Sequence, residues 1–443
     1  MQRRSFLWSS AAAGLMTLPQ FVLADDDAKH KKEGRNNKQP STSASPAAAV
    51  APPAVAKARV IVIGGGMAGA SVAKYLRLWG NTVDVTLVER NPQYLSNIMS
   101  SLVLTGQRTI SSLTFGYDLL QSRYGVRVVF GDVVEVDPIR ARVRLATGAW
   151  LEADRIVMAP GIEFDAVPGL DDVNLMPHAW KAGAQTTLLA KQLAAMPTNG
   201  VAVLTIPKAP YRCPPGPYER ACLIADWMKA NKPRAKLIVL DGNLDIVTEK
   251  DNFSQAFFGL HASVIDYRTS VEISSVDTRQ MMVYTNYGAF KADVVNLIPT
   301  QRAGGLVAST GLATANGGRF APVDVLSYAS TVAPNLHVIG DSSATTQPKA
   351  GHIANQEAKV CADALARIFE GQAPDPAPVT NSACYSTITR TQASWLTAVF
   401  QYDPVARVMV PVAASAAASV GWKSGNFKQM NEWYDALMAD TFA

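Results

Sequence analysis

A chain of 443 residues that is 48% hydrophobic and 17% charged is long enough for two or three domains, and its composition is that of a globular protein over most of its length. The formal net charge of +5, or +3 once Arg3 and Arg4 leave with the segment described next, is too weak a bias to imply a nucleic-acid partner. Five scattered histidines and four cysteines have no metal-ligand spacing, so no metal site is expected, and the absence of a CxxCH excludes an attached c-type haem.

Residues 1–24 read as an export signal. Arg3-Arg4-Ser5-Phe6-Leu7 is followed by an Ala- and Leu-rich apolar run to about Val22, and small residues ending at Ala24 precede Asp25-Asp26-Asp27. The arginine pair resembles a twin-arginine signal, which places the mature chain in the periplasm. The apolar run is shorter than the roughly 20 residues a spanning helix needs, and the Ala-rich run Val412–Ser419 is too short and too weakly apolar, so no stable membrane insertion is expected. Residues 25–57 are polar and then Ala-Pro rich; they bury too little to offset their ordering entropy and read as a flexible linker.

Ala58-Arg59-Val60-Ile61-Val62-Ile63 is a continuous apolar run of the kind found in buried parallel strands, and Gly64-Gly65-Gly66-Met67-Ala68-Gly69 follows at once. A helix then runs to Trp79 and stops at Gly80, and a second strand over Val83–Val88 ends at Glu89. Each spaced glycine has a task in a dinucleotide site. Gly64 permits the tight turn, Gly66 lets a pyrophosphate approach the backbone, and Gly69 lets the helix pack on the strand, while Glu89, with Arg90 beside it, ends the second strand where the adenosine ribose is bound. Strand, glycines with Ala68 between them, helix, second strand and terminal acid in register make the dinucleotide reading strong.

Two later segments point to FAD. Asp154-Arg155-Ile156-Val157-Met158-Ala159-Pro160-Gly161 is a strand entering a glycine turn, where two-domain flavoproteins return a strand past the cofactor; Ala159 and Gly161 are the candidate contacts. Asn335–Asp341 is a strand ending in Gly340-Asp341, which in flavoproteins brings the Asp to the ribityl chain; Asp341 also suits a helix N-cap. Between them lies a second α/β unit, with strands over Gly200–Ile206 and Lys236–Asp241 and a helix over Tyr218–Ala230. Its turn is rich in proline rather than glycine, from Pro207 to Pro217. Proline donates no N–H and makes a poor pyrophosphate cradle, so NAD(P)H is not expected as the electron source.

That turn, Pro210-Tyr211-Arg212-Cys213-Pro214-Pro215-Gly216-Pro217-Tyr218-Glu219-Arg220-Ala221, resembles the signature loop of the flavoprotein subunit of flavocytochrome c sulfide dehydrogenase and its sulfide:quinone reductase relatives. Ile298-Pro299, Pro348-Lys349 with Gly351, Ala354-Asn355, and the segment from Cys384-Tyr385-Ser386 to Phe442 extend the resemblance over residues 57–443. It implies an α/β fold of two Rossmann-like dinucleotide-binding-type domains, one for FAD (58–165 and 300–372) and a second (166–299), plus a C-terminal α+β interface segment (373–443). It also implies FAD as cofactor, with Lys349 among its contacts, a small sulfur substrate, and a c-type cytochrome subunit or soluble cytochrome c as electron acceptor.

In that family a redox disulfide serves the sulfur substrate, and the resemblance places one sulfur at Cys213. Ala321, in Gly318-Arg319-Phe320-Ala321-Pro322, stands where the second cysteine is expected. No cysteine lies within residues 91–105, where the family links flavin covalently, so non-covalent FAD is expected. Cys213 is a candidate nucleophile with Arg212 to stabilise its anion. Glu219 is either a general acid or base or an acid on a solvated first helical turn. Cys361 reads as core, and Cys222 or Cys384 remains open as a partner for Cys213. The apolar stretch Trp395–Tyr402 either covers the flavin, faces the cytochrome, or is a core strand. Beside the sulfide dehydrogenase reading stand a pyridine-nucleotide- or quinone-linked flavin reductase and an electron-relay homologue without sulfide chemistry.

Overall fold

The structure, a computed structural model, describes residues 56–443; the expected export signal and nearly all of the expected linker lie outside the described residues. A central eight-stranded sheet is built around the strand Ala58–Ile63, which pairs in parallel with Val83–Glu89 on one side and Arg155–Met158 on the other. Arg127–Phe130 extends it beyond Val83–Glu89, and Leu336–Val338 returns from far downstream to pair with Arg155–Met158. The unbroken apolar run is explained by burial on both faces. Val60 and Val62 pack under the helices Met67–Trp79 and Gly351–Phe369, while Ile61 and Ile63 point to the opposite layer with Met158 and Val338.

A second, four-stranded parallel sheet contains Ile265–Arg268, Lys236–Asp241, Val201–Ile206 and Val294–Asn296 in that order. The helix Gly216–Asn231 covers it with Tyr218, Ala221, Ile224 and Met228. The fold is thus the expected α/β pair of Rossmann-like sheets.

The C-terminal segment is a long antiparallel hairpin, Val379–Thr389 with Gln392–Asp403, followed by the helix Ser424–Phe442. The hairpin's first strand packs against both Gly216–Asn231 and Gly351–Phe369, and so bridges the two sheets. The last helix is fastened to the first. Phe442 stacks on Tyr94 with ring centroids 4.9 Å apart, and the Lys74 ammonium donates to the carbonyl oxygens of Ala439, Asp440 and Ala443. Tyr75 and Asn355 donate to the Asp440 carboxylate. The stretch Trp395–Tyr402 is not cavity wall but the second strand of the hairpin, largely half-buried, with Phe400 in a small core against which Ala398 and Tyr402 pack; the first strand carries Ala383, Cys384 and Tyr385 to the cavity instead.

Candidate functional site

A cavity of about 770 Å³ opens at the carboxyl ends of the central strands, the position where open α/β sheets bind their ligands. Gly64, Gly66, Ala68, Glu89, Arg90, Ala159, Gly161, Gly340 and Asp341 all line it, together with Cys213 and Glu219. Gly69 and Lys349 do not. Gly69 lies behind the turn, where an added methyl would sit 1.7 Å from the Gly64 carbonyl oxygen. Lys349 lines a small adjoining recess with Asp341 and Glu357; it donates to the Ser343 carbonyl at 2.6 Å and lies over the Phe320 ring.

The glycine turn is shaped by its neighbours. Gly64 has φ +97°, and a Cβ there would meet the Ala159 carbonyl oxygen at 2.5 Å. A Cβ on Gly65 would strike the Tyr117 hydroxyl at 2.6 Å, whereas one on Gly66 would meet only Tyr94, at 3.8 Å, on the cavity side. The helix Met67–Trp79 begins at Gly66 with no side-chain cap and no acid in its first turn, leaving its first N–H groups for an anion. Glu89 Oε2 accepts from Gly65 N at 2.6 Å and Oε1 from Asn91.

Asp341 is the middle residue of the short 3-10 turn Gly340–Ser342, whose N-cap position is Ile339, so it is not a helix N-cap. Its Oδ1 is buried without a partner, and burial pushes its carboxyl up despite the charges of Arg212 and Lys349. Beneath it, the buried Glu357 accepts from Gly340 N at 2.7 Å and from Ser343 and Thr345 hydroxyls. Glu357 has no place among the sequence candidates, although an acid between Ala354 and Ala358 on the apolar face of the helix was a visible signal. An uncapped glycine-lined helix start, an orphaned carboxylate oxygen and a cavity of this size fit FAD: Gly66, Met67 and Ala68 would hold its pyrophosphate, Glu89 its adenosine ribose and Asp341 its ribityl chain.

At the other end of the cavity, Cys213 is held with φ +58° by a 2.6 Å hydrogen bond from its N–H to the Lys349 carbonyl. Burial pushes its thiol well up, Cys384 and Glu219 add to that, and Arg212 opposes it. Glu219 is not on a solvated turn. It accepts from Thr387 N at 3.1 Å and Thr387 Oγ1 at 2.6 Å, and burial raises its carboxyl above the ordinary range. All four cysteines are free thiols. Ala321 is fully buried and pairs with Ser343, so a methyl stands at the expected second-sulfur position.

In the second sheet, the acid ending the second strand is already occupied. Asp241 accepts from Tyr218 at 2.7 Å, Tyr267 at 2.8 Å and Asn243 N at 2.8 Å, and is fully buried. Pro217 takes one of the first helical positions of Gly216–Asn231, removing an N–H that a pyrophosphate would use. Among the described residues no cluster of His, Cys, Asp and Glu is suited to a metal, and no helix is long and apolar enough to cross a membrane.

Three family models match consecutive parts of the chain: pyridine nucleotide-disulphide oxidoreductase over residues 58–195, the central part of the sulfide dehydrogenase [flavocytochrome c] flavoprotein chain over 186–299, and flavocytochrome c sulphide dehydrogenase, flavin-binding, over 376–442. A sulfide dehydrogenase flavoprotein chain from Chlorobaculum thiosulfatiphilum is 47% identical over 45 residues, 10% of this chain and 94% of that sequence. The chain belongs to the flavocytochrome c sulfide dehydrogenase flavoprotein family. FAD is accordingly its cofactor and it is an oxidoreductase.

Wider likenesses agree with the family's fold. Apoptosis-inducing factor homolog B of Dictyostelium discoideum is 32% identical over 105 residues, 24% of this chain, and the chain spans about a quarter of that relative's length. The sulfide:quinone oxidoreductase of Aquifex aeolicus superposes with a TM-score of 0.72 at 16% identity, covering 86% of this chain and 91% of that one. Ala321 stands where the sequence resemblance leads a second sulfur to be expected, and none of the cavity-lining residues between Tyr94 and Ser101 is a cysteine.

Proposed function

We propose that this chain is exported to the periplasm, oxidises a reduced sulfur compound, sulfide foremost, with non-covalently bound FAD, and delivers the electrons to a c-type cytochrome. The observation that carries this reading is Cys213, a thiol set in the wall of the flavin cavity with a buried carboxyl, Glu219, acting on it. FAD, when bound, supplies a two-electron acceptor that can release electrons one at a time.

The residues around it do the rest. Arg212 and Lys181 line the same cavity and favour an anionic sulfur species; burial, and after it repulsion from Arg212, already push the Lys181 ammonium down, so an arriving anion relieves unfavourable charge. Burial raises the Glu219 carboxyl above the ordinary carboxylate range, which suits it to take and return a proton. Arg212 donates to the Trp180 carbonyl, which fixes the cation at the cavity wall. The saturated Asp241 and the proline-rich turn argue against NAD(P)H as reductant.

Ala321 favours a second reading, an electron-relay homologue that keeps FAD without sulfide chemistry. Anaerobic reduction of ferric cytochrome c by the purified holoprotein separates the readings: sulfide is expected to drive it and NADH is not. A protein that passes electrons from NADH, or from neither, contradicts the proposal.

A further inference from the structure

Ala321 leaves Cys213 without its expected partner, yet the chain has three other cysteines. Two are remote from the chemistry: Cys222 is fully buried in the core over the second sheet, and Cys361 in the core beneath the Gly351–Phe369 helix. Cys384 differs. Like Cys213 it is partly accessible, and these two cysteines both line the flavin cavity.

The segments that carry them are tied to the same two struts. One is the turn into the Gly351–Phe369 helix: Lys349 O accepts from Cys213 N at 2.6 Å, and three residues on, His352 Nδ1 accepts from Ala383 N, next to Cys384, at 3.0 Å. The other is Glu219, on the first turn of the helix that Cys213 precedes, whose carboxylate grips Thr387, three residues past Cys384 on the same strand. Cys384 itself packs against the buried cluster that includes Ala350 and Ile353, and Ala350 directly follows the Lys349 whose carbonyl holds Cys213 N.

We propose that Cys213 and Cys384 form a reversible disulfide in the wall of the flavin cavity, Cys384 supplying the sulfur that Ala321 lacks. The two thiols lose two electrons and two protons as one S–S bond forms; FAD, where bound, would supply the acceptor for these. In the reverse sense, a sulfur nucleophile such as hydrosulfide breaks the S–S bond, leaving a persulfide on one cysteine and a thiolate on the other. The choice of substrate rests on the sulfide dehydrogenase reading; the disulfide does not.

The test is thiol mapping on the FAD-loaded full chain. The protein is reduced under anaerobic conditions, desalted, reoxidised with ferricyanide, alkylated, and digested without reductant for mass spectrometry. The expected result is a peptide linking Cys213 to Cys384 and a loss of two titratable thiols on oxidation; Cys384→Ser and Cys213→Ser each abolish both, and Cys361→Ala keeps both. A Cys213–Cys222 link, or four free thiols in protein whose flavin has cycled, overturns the proposal, and neither result depends on the serine variants folding. A Cys213–Cys384 link in protein that sulfide cannot reduce supports the disulfide and removes the sulfide dehydrogenase reading; sulfide turnover without the link does the opposite.

Discussion

Replacing Glu219 by glutamine separates its chemical role from its structural one. The Glu219 oxygen that accepts from Thr387 N and Oγ1 has a counterpart in the glutamine carbonyl, so both hydrogen bonds persist and stability should change by no more than about 1 kcal/mol. Glu219→Ala, in contrast, leaves two Thr387 donors unmatched in a buried setting, at about 1–3 kcal/mol each. Burial raises the Glu219 carboxyl. The folded protein therefore favours the protonated group, and its stability is fully present below the ordinary carboxylate range and lost as pH rises through the raised value. Glutamine has no such loss, so the melting temperature of the variant should gain on the natural protein as pH rises from 4 to 8. If the carboxyl moves protons for Cys213, the rate of flavin bleaching by sulfide should fall about 10²- to 10⁴-fold, equivalent to about 2.7–5.4 kcal/mol in the barrier. Stopped-flow absorbance under nitrogen measures this directly. A variant that bleaches at the natural rate with the natural pH profile would refute the proton-transfer role and leave Glu219 as an anchor for Thr387.

Three further outcomes are expected. Gly64→Ala requires a non-glycine residue at φ +97° and a methyl 2.5 Å from a backbone oxygen, costing about 1–3 kcal/mol in strain and about 1–3 more in overpacking; the purified variant should lose FAD and melt lower, and full flavin content with an unchanged melting temperature counts against the argument. His178, whose imidazole is pushed down to about 3 by burial and then by Lys181, Arg220 and Arg212, accepts from Trp180 N as the neutral ring. Folding stability should fall as pH drops below the ordinary histidine value, by up to about 1.4 kcal/mol per unit, and urea unfolding from pH 7 to 5 should show a shallower slope for His178→Gln. Acid precipitation should leave the flavin in the supernatant; flavin retained in the pellet would reveal a covalent bond.

The sequence makes the first strand, turn and helix readable because their determinants are local: an unbroken apolar run and glycines at fixed spacing within Ala58–Trp79. The second unit was readable for the same reason. Gly65 carried no assigned task, because its constraint is Tyr117, more than 50 residues later, and only packing brings that ring to the turn. Glu357 was passed over as one charge in a helix, since its partners are the backbone of Gly340 and hydroxyls in the following turn. Trp395–Tyr402 drew attention by being apolar, yet period-two alternation in a hairpin spreads such residues over both faces. That Cys384 and Cys213 line one cavity is invisible in one dimension: it depends on a hairpin leaning on two helices from different halves of the chain.

The cavity's walls come from both ends of the described chain: Gly64 and Gly66 near the start, and Met430 and Trp433 in the last helix, which Phe442 and Lys74 fasten down. A ribosome delivers these pieces in that order, so the pocket has no complete wall until nearly all of the polypeptide has emerged. Enclosure of FAD is then a late, whole-molecule event rather than the property of a first-folded half. On the export proposed above, a route that moves finished proteins would let the pocket close around FAD before the chain crosses the membrane.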